Sequence, residues 1–371
     1  MEKKIAVILG DGIGPEVTQQ AIKALNAIAV KYKHKFVYTF ALMGAVAIDK
    51  TGNPLPQHTI DVCKESDAIL LGAIGHPKYD NDPSAKVRPE QGLLNLRKEL
   101  GLYSNIRPVT AYSSLYHLSP LKEKILEGVD FIVYRELTGG IYFGKKETSE
   151  DGTEASDLCI YNKSEIERIA KLAFVSAQQR RKKLTLVDKA NVLETSRLWR
   201  KTVQEISKDY PDVKVDYMFV DNAAMQIIVN PKQFDVILTE NMFGDILSDE
   251  SSVISGSLGL LPSSSIGVSS ALFEPIHGSY PQAAGKDIAN PIGSILSAAM
   301  MLDYFELTAE AADVREAVAW TLANGFVSED IDPANPHYTS TIGEFVSDYI
   351  GNDIPVNINA QNIAFGKATI I

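Results

Sequence analysis

The stretch IAVILGDGIGPEV, residues 5–17, joins an apolar strand to a helix through a turn rich in glycine. Its first five residues are all apolar, which is typical of a strand buried on both faces. Pro15 favours the start of a helix, and apolar residues then recur at helical spacing: Val17, Ala21, Ala24, Leu25 and Ile28. The stretch therefore predicts a strand, a tight turn and a helix, the repeating unit of an α/β protein.

Other segments repeat this order. Strands are expected at residues 68–71, 131–134, 184–187, 217–220 and 234–238, and helices at 164–180, 192–208, 291–304 and 309–323. The alternation predicts a largely parallel sheet covered by helices. Two stretches interrupt it, namely a polar loop at 75–88 that is expected to lie over a site and a long hairpin arm at about 140–162.

The glycine-rich turn reads G-x-G-x-G-P and differs from the G-x-G-x-x-G fingerprint of Rossmann folds. It also lacks the acidic residue that follows in those folds about twenty residues later. Such a turn lets backbone approach a ligand, although a purely structural turn explains the pattern equally well.

Composition narrows the class of protein. With 371 residues, of which 45% are hydrophobic and 22% charged, the chain is long enough for two domains with sizeable cores. A formal net charge of −11 argues against a nucleic-acid partner, and no apolar run approaches a membrane span. Cys63 and Cys159 are too few for a disulfide framework or a thiolate zinc site. A reducing, cytoplasmic setting is expected.

Asp245 and Asp249 stand four residues apart in NMFGDILSD, residues 241–249, after an apolar run. On a helix this spacing places both carboxylates on one face, within reach of one divalent cation. Oxygen ligands of this kind suit Mg²⁺ or Mn²⁺ and leave coordination positions for substrate and water. A helix-capping residue followed by a solvated charge is the alternative interpretation.

Three arginines, Arg97, Arg107 and Arg135, could together bind two carboxylates of one substrate through bidentate bonds. Singly, each is more typical of a surface ion pair. Lys189 ends a strand just before a helix, where a cation is disfavoured and where burial would allow it to act as a base. Tyr142 is either an aromatic residue of the arm or a proton donor.

These segments together resemble the β-decarboxylating dehydrogenases of the isocitrate and isopropylmalate type. The resemblance extends from Lys4 to about Tyr349 and rests on motifs whose combination in one order is highly specific: GDGIGPEV (10–17), RPEQGLLNLR (88–97), RELTGGIYFG (135–144), VDKANVLETSRLWR (187–200), NMFGDILSD (241–249), GSLGLLPS (256–263), FEPIHGS (273–279) and GKDIANP (285–291). It implies that family's two-domain α/β fold, which has a mixed, largely parallel central sheet and is not a Rossmann fold.

The resemblance also implies the domains and the activity. Residues 1–103 and 257–371 would form a discontinuous dinucleotide-binding domain, and residues 104–256 a domain for dimerisation, metal and substrate. The reaction would be oxidative decarboxylation of (2R,3S)-3-isopropylmalate to 4-methyl-2-oxopentanoate with reduction of NAD, in leucine biosynthesis. The alternative is another 3-substituted malate, namely isocitrate, homoisocitrate, tartrate or malate.

Roles for single residues follow from the same resemblance. The substrate carboxylates would bind Arg97, Arg107 and Arg135. Mg²⁺ or Mn²⁺ would be held by Asp245 and Asp249, with Asp221 from the second subunit of a homodimer that shares its active sites. Lys189 of that second subunit would take the hydroxyl proton, and Tyr142 would protonate C3. Substrate choice would depend on Glu90, Leu93, Leu94 and Val192, whose apolar members suit an isopropyl group and not a third carboxylate.

The implied cofactor site consists of Gly12, Ile13, Glu274, His277, Gly278, Ser279, Gln282 and Asn290. Gln282 stands where NAD-using relatives usually carry an aspartate, so it does not repel the 2′-phosphate of NADP. No Lys or Arg lies between His277 and Gly285 to attract that phosphate, so NAD is still expected. The tail at residues 351–371 extends beyond the usual family end and has no functional interpretation.

Two hypotheses from other classes remain at this point. A metal-dependent phosphohydrolase would use Asp245 and Asp249 but gives no role to Leu93, Leu94 or residues 274–290. A regulatory binding module is disfavoured because no catalytic position is missing. Formation of NADH from isopropylmalate would distinguish all three.

Overall fold

The computed structural model describes residues 1–80 and 87–351. The loop predicted at 75–88 therefore lies partly outside the described residues, and the tail from residue 352 onward lies wholly outside them. In the part of the chain that is described, no helix combines the length and the apolar character needed to cross a membrane.

Strands and helices alternate along most of the chain. The strands are β1 (Glu2–Gly10), β2 (Lys35–Phe40), β3 (Ala68–Ala73), β4 (Ser104–Thr110), β5 (Asp130–Glu136), β6 (Lys146–Thr148), β7 (Ala155–Asp157), β8 (Lys183–Asp188), β9 (Lys214–Phe219), β10 (Val236–Thr239), β11 (Pro262–Ile266) and β12 (Ala271–Pro275). The helices are α1 (Gly14–Tyr32), α2 (Ala45–Thr51), α3 (Gln57–Lys64), α4 (Pro77–Asp80), α5 (Pro89–Glu99), α6 (Glu123–Leu126), α7 (Lys163–Gln179), α8 (Glu194–Ile206), α9 (Val220–Val229), α10 (Asn241–Ser255), α11 (Ile292–Tyr304), α12 (Thr308–Ala323) and α13 (Thr339–Gly351).

Among the described residues, ten strands form one sheet in the order β2-β1-β3-β12-β11-β4-β5-β10-β8-β9. We call β2, β1, β3 and β12 the first block, and β5, β10, β8 and β9 the second block. Strands within each block are parallel. The central strands β11 and β4 are antiparallel to both of their neighbours, so the two blocks run in opposite directions. The predicted α/β fold with a mixed, largely parallel sheet is confirmed.

Alternation along each strand explains the layers, because successive side chains point to opposite faces of a sheet. In β1, Ile5 and Val7 face the core shared with α1, α11, α12 and α13. Ala6 and Ile8 face a second core on the α3 and α5 side. The second block has two cores of its own, one against α7 and α8 and one against α9 and α10.

The predicted strands and helices occur, with small shifts at their ends. The strand expected at 217–220 ends at Phe219, because Val220 already begins α9. Within the arm, the paired strands β6 and β7 are short and exposed, and they occupy only the middle of the predicted hairpin. Residues Gly140–Tyr142, at the start of the arm, form a 3₁₀ turn. Strands β2, β4, β11 and β12 were not predicted.

Candidate active site

Helix α10 carries the two aspartates that the four-residue spacing singled out. The carboxylate of Glu240 accepts a hydrogen bond from the backbone N–H of Phe243 at 3.3 Å. An acidic side chain in this position caps the free N–H groups at a helix start. Asp245 and Asp249 follow one turn apart, and both reach arginines on neighbouring strands.

Each of these aspartates is paired with one arginine. Arg135, near the end of β5, donates to Asp245 and, through Nε, to the backbone oxygen of Asn241 at 2.9 Å. Arg107, on β4, donates to Asp249 Oδ1 at 2.9 Å. The antiparallel pairing of β4 with β5 puts both arginines beside α10, because residue 105 lies opposite residue 135.

The third arginine, Arg97 on α5, donates to Glu274 Oε1 at 2.6 Å. Its Nε is buried and has no hydrogen-bond partner among the described residues. Burial lowers the pKa of Arg135 to about 10; Asp245 opposes this shift, and the positive charges of Arg107 and Arg97 add to it. Three guanidinium groups this close, one with an unused donor, form a site suited to an anion with more than one carboxylate.

Tyr142 ends a 3₁₀ turn beside this cluster. Its hydroxyl donates to Asp245 Oδ2 at 2.9 Å, and the Arg135 guanidinium lies 5.8 Å from the ring centroid. Burial, followed by the hydrogen bond to Asp245, raises the pKa of the Tyr142 phenol. The phenol is therefore protonated at neutral pH and can donate a proton.

Lys189 and Asp221 form a separate pair on the second block. The Lys189 Nζ lies 2.5 Å from Asp221 Oδ1, and the side chains are 27% and 67% exposed. The hydrogen bond from Lys189 lowers the pKa of Asp221. Asp188, which ends β8 directly before Lys189, is held by two 2.8 Å hydrogen bonds from Arg200. The backbone that carries Lys189 is thus fixed, whereas its side chain is accessible.

A cavity of about 370 Å³ opens beside the arginines. Arg97 and Arg135 line it together with Leu94, Leu137 and Phe143. Of the other predicted substrate residues, Leu93 packs against the α5 core, Glu90 is exposed, and Val192 is exposed next to Lys189. The structure therefore brings Leu94 to the arginines but leaves Val192 with the Lys189–Asp221 pair.

A second cavity, of about 520 Å³, is lined by four of the eight predicted cofactor residues. Ile13, His277, Gly278 and Asn290 line it. Ser279 is joined to the glycine-rich turn, because the Ile13 N–H donates to the Ser279 carbonyl at 2.8 Å. Gly12 has φ +57°, and a Cβ there would lie 1.9 Å from that carbonyl oxygen, so only glycine fits the turn.

Two predicted cofactor residues lie elsewhere. Glu274 is buried and pairs with Arg97, on the substrate side of the molecule. Gln282 is exposed and does not line the 520 Å³ cavity. Tyr280, which the sequence did not single out, lines it instead.

The residues present fit the predicted dinucleotide cofactor, and they fit the predicted divalent cation less completely. His277 Nε2 is buried without a partner among the described residues, and it belongs to a residue that lines the 520 Å³ cavity, as expected of a group that bonds a cofactor. Burial lowers the pKa of this imidazole, so it is neutral. Asp245 and Asp249 are the hard oxygen donors that Mg²⁺ or Mn²⁺ prefers. Within residues 1–80 and 87–351, however, no group of three or more His, Cys, Asp or Glu side chains could hold a metal ion.

Sequence reasoning missed residues that position the site. The Asp11 carboxylate accepts three backbone hydrogen bonds at 2.9–3.0 Å, from Ala45, Val46 and Gly75. The position of Asp11 between Gly10 and Gly12 is the feature of the sequence that could have identified it. Asn241 holds Arg135, and nothing in the pattern distinguished it from an ordinary first helical residue.

Comparison with known proteins identifies relatives of this chain. The family model described as isocitrate/isopropylmalate dehydrogenase matches residues 4–346. A 3-isopropylmalate dehydrogenase of Bacteroides fragilis is 55% identical over 94% of this chain and 99% of its own length. Its counterpart from Priestia megaterium is 53% identical over 96% of this chain and 98% of its own.

Solved structures show the same fold. The crystal structure of isocitrate dehydrogenase from Methylococcus capsulatus matches with a TM-score of 0.84 at 33% identity, and it covers 94% of this chain and 99% of its own. A β-decarboxylating dehydrogenase from Thermococcus kodakarensis, in its apo form, gives a TM-score of 0.80 at 34% identity over 94% and 96%. With its arginine cluster, its paired aspartates and this likeness along nearly its whole length, the chain belongs to the isocitrate/isopropylmalate dehydrogenase family.

Proposed function

We propose that this chain catalyses the oxidative decarboxylation of (2R,3S)-3-isopropylmalate to 4-methyl-2-oxopentanoate and CO₂, with reduction of NAD⁺, in leucine biosynthesis. The names of relatives that are 53–55% identical support this reaction. The observation that carries the proposal is the cluster of Arg97, Arg107 and Arg135 around two aspartates. A decarboxylating dehydrogenase of another 3-substituted malate is the second candidate.

The charges in this cluster match those of the proposed ligands. Arg135 and Arg107 are paired with Asp245 and Asp249. A substrate with two carboxylates would replace the aspartates at the arginines, and a divalent cation would replace the arginines at the aspartates. Because two negative and two positive charges enter together, every charged group keeps a partner, as burial requires.

The proposed steps give each side chain of the site one role. When bound, NAD⁺ accepts hydride from C2 and a divalent cation polarises the C2 oxygen, which eases the loss of CO₂. Arg97, Arg107 and Arg135 orient the substrate carboxylates. Lys189 takes the proton of the C2 hydroxyl, and Tyr142, whose phenol is protonated, delivers a proton to C3 after decarboxylation.

We also propose that the active site is shared between two subunits. One chain supplies two aspartates but, over the described residues, no third metal ligand. Met225 and Val229 on α9 and Ile246 and Val253 on α10 are exposed, and an apolar surface of this kind is typical of a subunit interface. Ile246 lies between the two aspartates, so a second copy seated here would bring its own Asp221, at the start of α9, close to them.

The remaining parts of the proposal concern organisation. Separate apolar cores in the two blocks support domains of residues 1–103 with 257–371, of which 352–371 lie outside the described residues, and of residues 104–256. A cytoplasmic setting is supported by the two free cysteines, Cys63 and Cys159.

Steady-state assays with NAD⁺ and Mg²⁺ test the reaction. We expect kcat/KM for isopropylmalate to exceed that for isocitrate by about a thousandfold, because a third carboxylate next to Leu94 would lose water without gaining a partner, at a cost of several kcal/mol. Leu94→Lys is the informative variant, since a cation there should narrow this ratio. Comparable turnover of both substrates by the wild type would favour the second candidate, and release of phosphate from a phosphomonoester without NADH formation would exclude both.

A further inference from the structure

Tyr280 has an unusual backbone conformation. Its φ of +37° and ψ of 63° lie in the left-handed region, which residues other than glycine, asparagine and aspartate rarely enter. Pro281 follows directly, and a residue before proline favours extended backbone. A bulky residue kept in this conformation indicates a position whose side-chain direction matters.

Hydrogen bonds on both sides fix this conformation. The Ser279 carbonyl accepts from the Ile13 N–H at 2.8 Å, and the Tyr280 carbonyl accepts from the Ala283 N–H at 3.0 Å. The glycine-rich turn of residues 10–15 and the 3₁₀ turn Pro281–Ala283 therefore hold Tyr280 between them. The backbone of Tyr280 is therefore held by hydrogen bonds of its neighbours on both sides.

The ring lines the 520 Å³ cavity. Ile13, Leu258 and Ile288 contribute apolar walls, and His277 and Asn290 contribute polar groups. Tyr280 is 54% exposed, and no aromatic pair among the described residues involves its ring. The cavity thus combines apolar walls, an accessible aromatic ring and the unpartnered His277 Nε2, a combination suited to a flat heteroaromatic ring with polar edges.

We infer that Tyr280 is an aromatic wall for the adenine ring of the dinucleotide and determines a large part of its affinity. This inference rests on the proposed use of NAD⁺. The sequence analysis gave no role to Tyr280, and Gln282, which it connected with the 2′-phosphate of NADP, is exposed and does not line the cavity. None of the described residues that line the cavity is Lys or Arg, so we assign recognition of the adenine ring to aromatic contact and not to charge.

Two substitutions distinguish the effect of the Tyr280 ring from the effect of its backbone conformation. Tyr280→Phe keeps an aromatic ring. Tyr280→Asn removes the ring but suits the left-handed conformation, so the turn should persist. Tyr338→Asn makes the same change at an exposed tyrosine that does not line the cavity and serves as the control.

Dissociation constants for NAD⁺ and ADP-ribose, which contains the adenosine but no nicotinamide, should be measured by calorimetry on the purified full-length proteins. For Tyr280→Asn we expect about tenfold weaker binding of both ligands, the scale of one lost base–aromatic contact. Tyr280→Phe and Tyr338→Asn should stay within about twofold of the wild type. Equal binding by Tyr280→Asn and wild type would overturn the inference, as would equal weakening in Tyr280→Phe.

The same measurements distinguish a failure of this inference from a failure of the proposed function. A wild type that binds neither NAD⁺ nor ADP-ribose would overturn both the use of NAD⁺ and the role of Tyr280. A wild type that oxidises isopropylmalate with NAD⁺, but whose affinity for ADP-ribose does not depend on residue 280, would overturn only the inference.

Discussion

The chain has two groups of charged side chains for its chemistry, and they differ in how they are held. The side chains of Arg97, Arg107 and Arg135 are 21%, 14% and 8% exposed, and each bonds a buried residue, namely Glu274, Asn105 and Asn241. Asp249, which pairs with Arg107, is itself exposed. Among the described residues, the charged groups of Lys189 and Asp221 hydrogen-bond only to each other, and both side chains are accessible to solvent. The three arginines of the first group find their charged partners within one chain, whereas in the proposed shared site the Lys189–Asp221 pair serves a second subunit.

This difference separates what folding requires from what catalysis requires. In the first group, loss of Arg97 leaves the buried Glu274 carboxylate without this partner, and loss of Arg135 leaves the buried Asn241 side-chain oxygen without its donor, so stability and activity should fall together. In the second group an exposed ion pair contributes little to stability. A change there should alter activity alone, and the contrast can be tested in four ways.

The largest effect is expected on stability. Arg135→Met should lower the free energy of unfolding by about 2 to 4 kcal/mol, because Asn241 and Asp245 lose a buried cation. Asp221→Asn should leave it unchanged within the error of the measurement, as is usual for an exposed site. Urea unfolding of both variants measures the two values. Equal losses would contradict the contrast between the groups.

The second effect is on turnover. Lys189→Met should lower kcat at least about a hundredfold, the usual scale for a lost general base. The fold should persist, because the backbone of Lys189 is held by neighbours that do not involve its side chain. Lys201→Met, at an exposed position of α8, is the matched control. Near-normal kcat in a folded Lys189→Met protein would exclude the role.

The third effect is recovery of activity in mixed dimers. If Lys189 serves the neighbouring subunit, a dimer of one Lys189→Met chain and one Tyr142→Phe chain has one site with a full set of residues. Free exchange of equal amounts should then restore about a quarter of wild-type activity, since half of the dimers are mixed and each has one intact site. No recovery after proven subunit exchange would place Lys189 in its own chain's site.

The smallest effect concerns pH. Burial raises the pKa of Glu240 to about 7. The negative charge of Glu136 also raises this pKa, whereas the hydrogen bonds from Phe243 and Tyr161 and the positive charge of Arg135 lower it. Because the folded protein binds this proton more tightly than the unfolded chain does, the protonated form of Glu240 favours folding. This contribution to stability is fully present below the pKa of the unfolded chain and is lost as pH rises through about 7. Glu240→Gln, which can still accept from Phe243, should raise Tm by a few degrees at pH 8 and leave it nearly unchanged at pH 4.5. Thermal unfolding at both pH values measures this, and parallel curves for the two proteins would count against it.

The sequence predicted those parts of the fold that depend on local pattern. Apolar runs identified β1, β3, β5, β8 and β10 because these strands are buried on both faces. Strand β11, with the sequence PSSSI, is polar although buried, and its serines bond within the sheet. Periodicity cannot identify such a strand, because its burial comes from neighbours that are distant in the chain.

For the candidate site, sequence identified the residue types better than their contacts. The spacing of Asp245 and Asp249 predicted a shared helix face, since that relation is set by helix geometry alone. The pairing of Glu274 with Arg97 depends on how β12 approaches α5, which no local pattern contains. The left-handed backbone at Tyr280 was equally hidden, because proline after tyrosine favours the opposite conformation.

The central position of β11 and β12 has a consequence for synthesis on the ribosome. Every strand of the second block, together with β4, lies between residues 104 and 239, so that part of the sheet can pair as soon as it has emerged. The first block has its strands β1, β2 and β3 much earlier, but β3 pairs with β12, and β1 is covered by α11, α12 and α13. The amino-terminal strands therefore emerge first and complete their packing last, so the nascent chain has to keep its oldest apolar strands from aggregating until its final third is made.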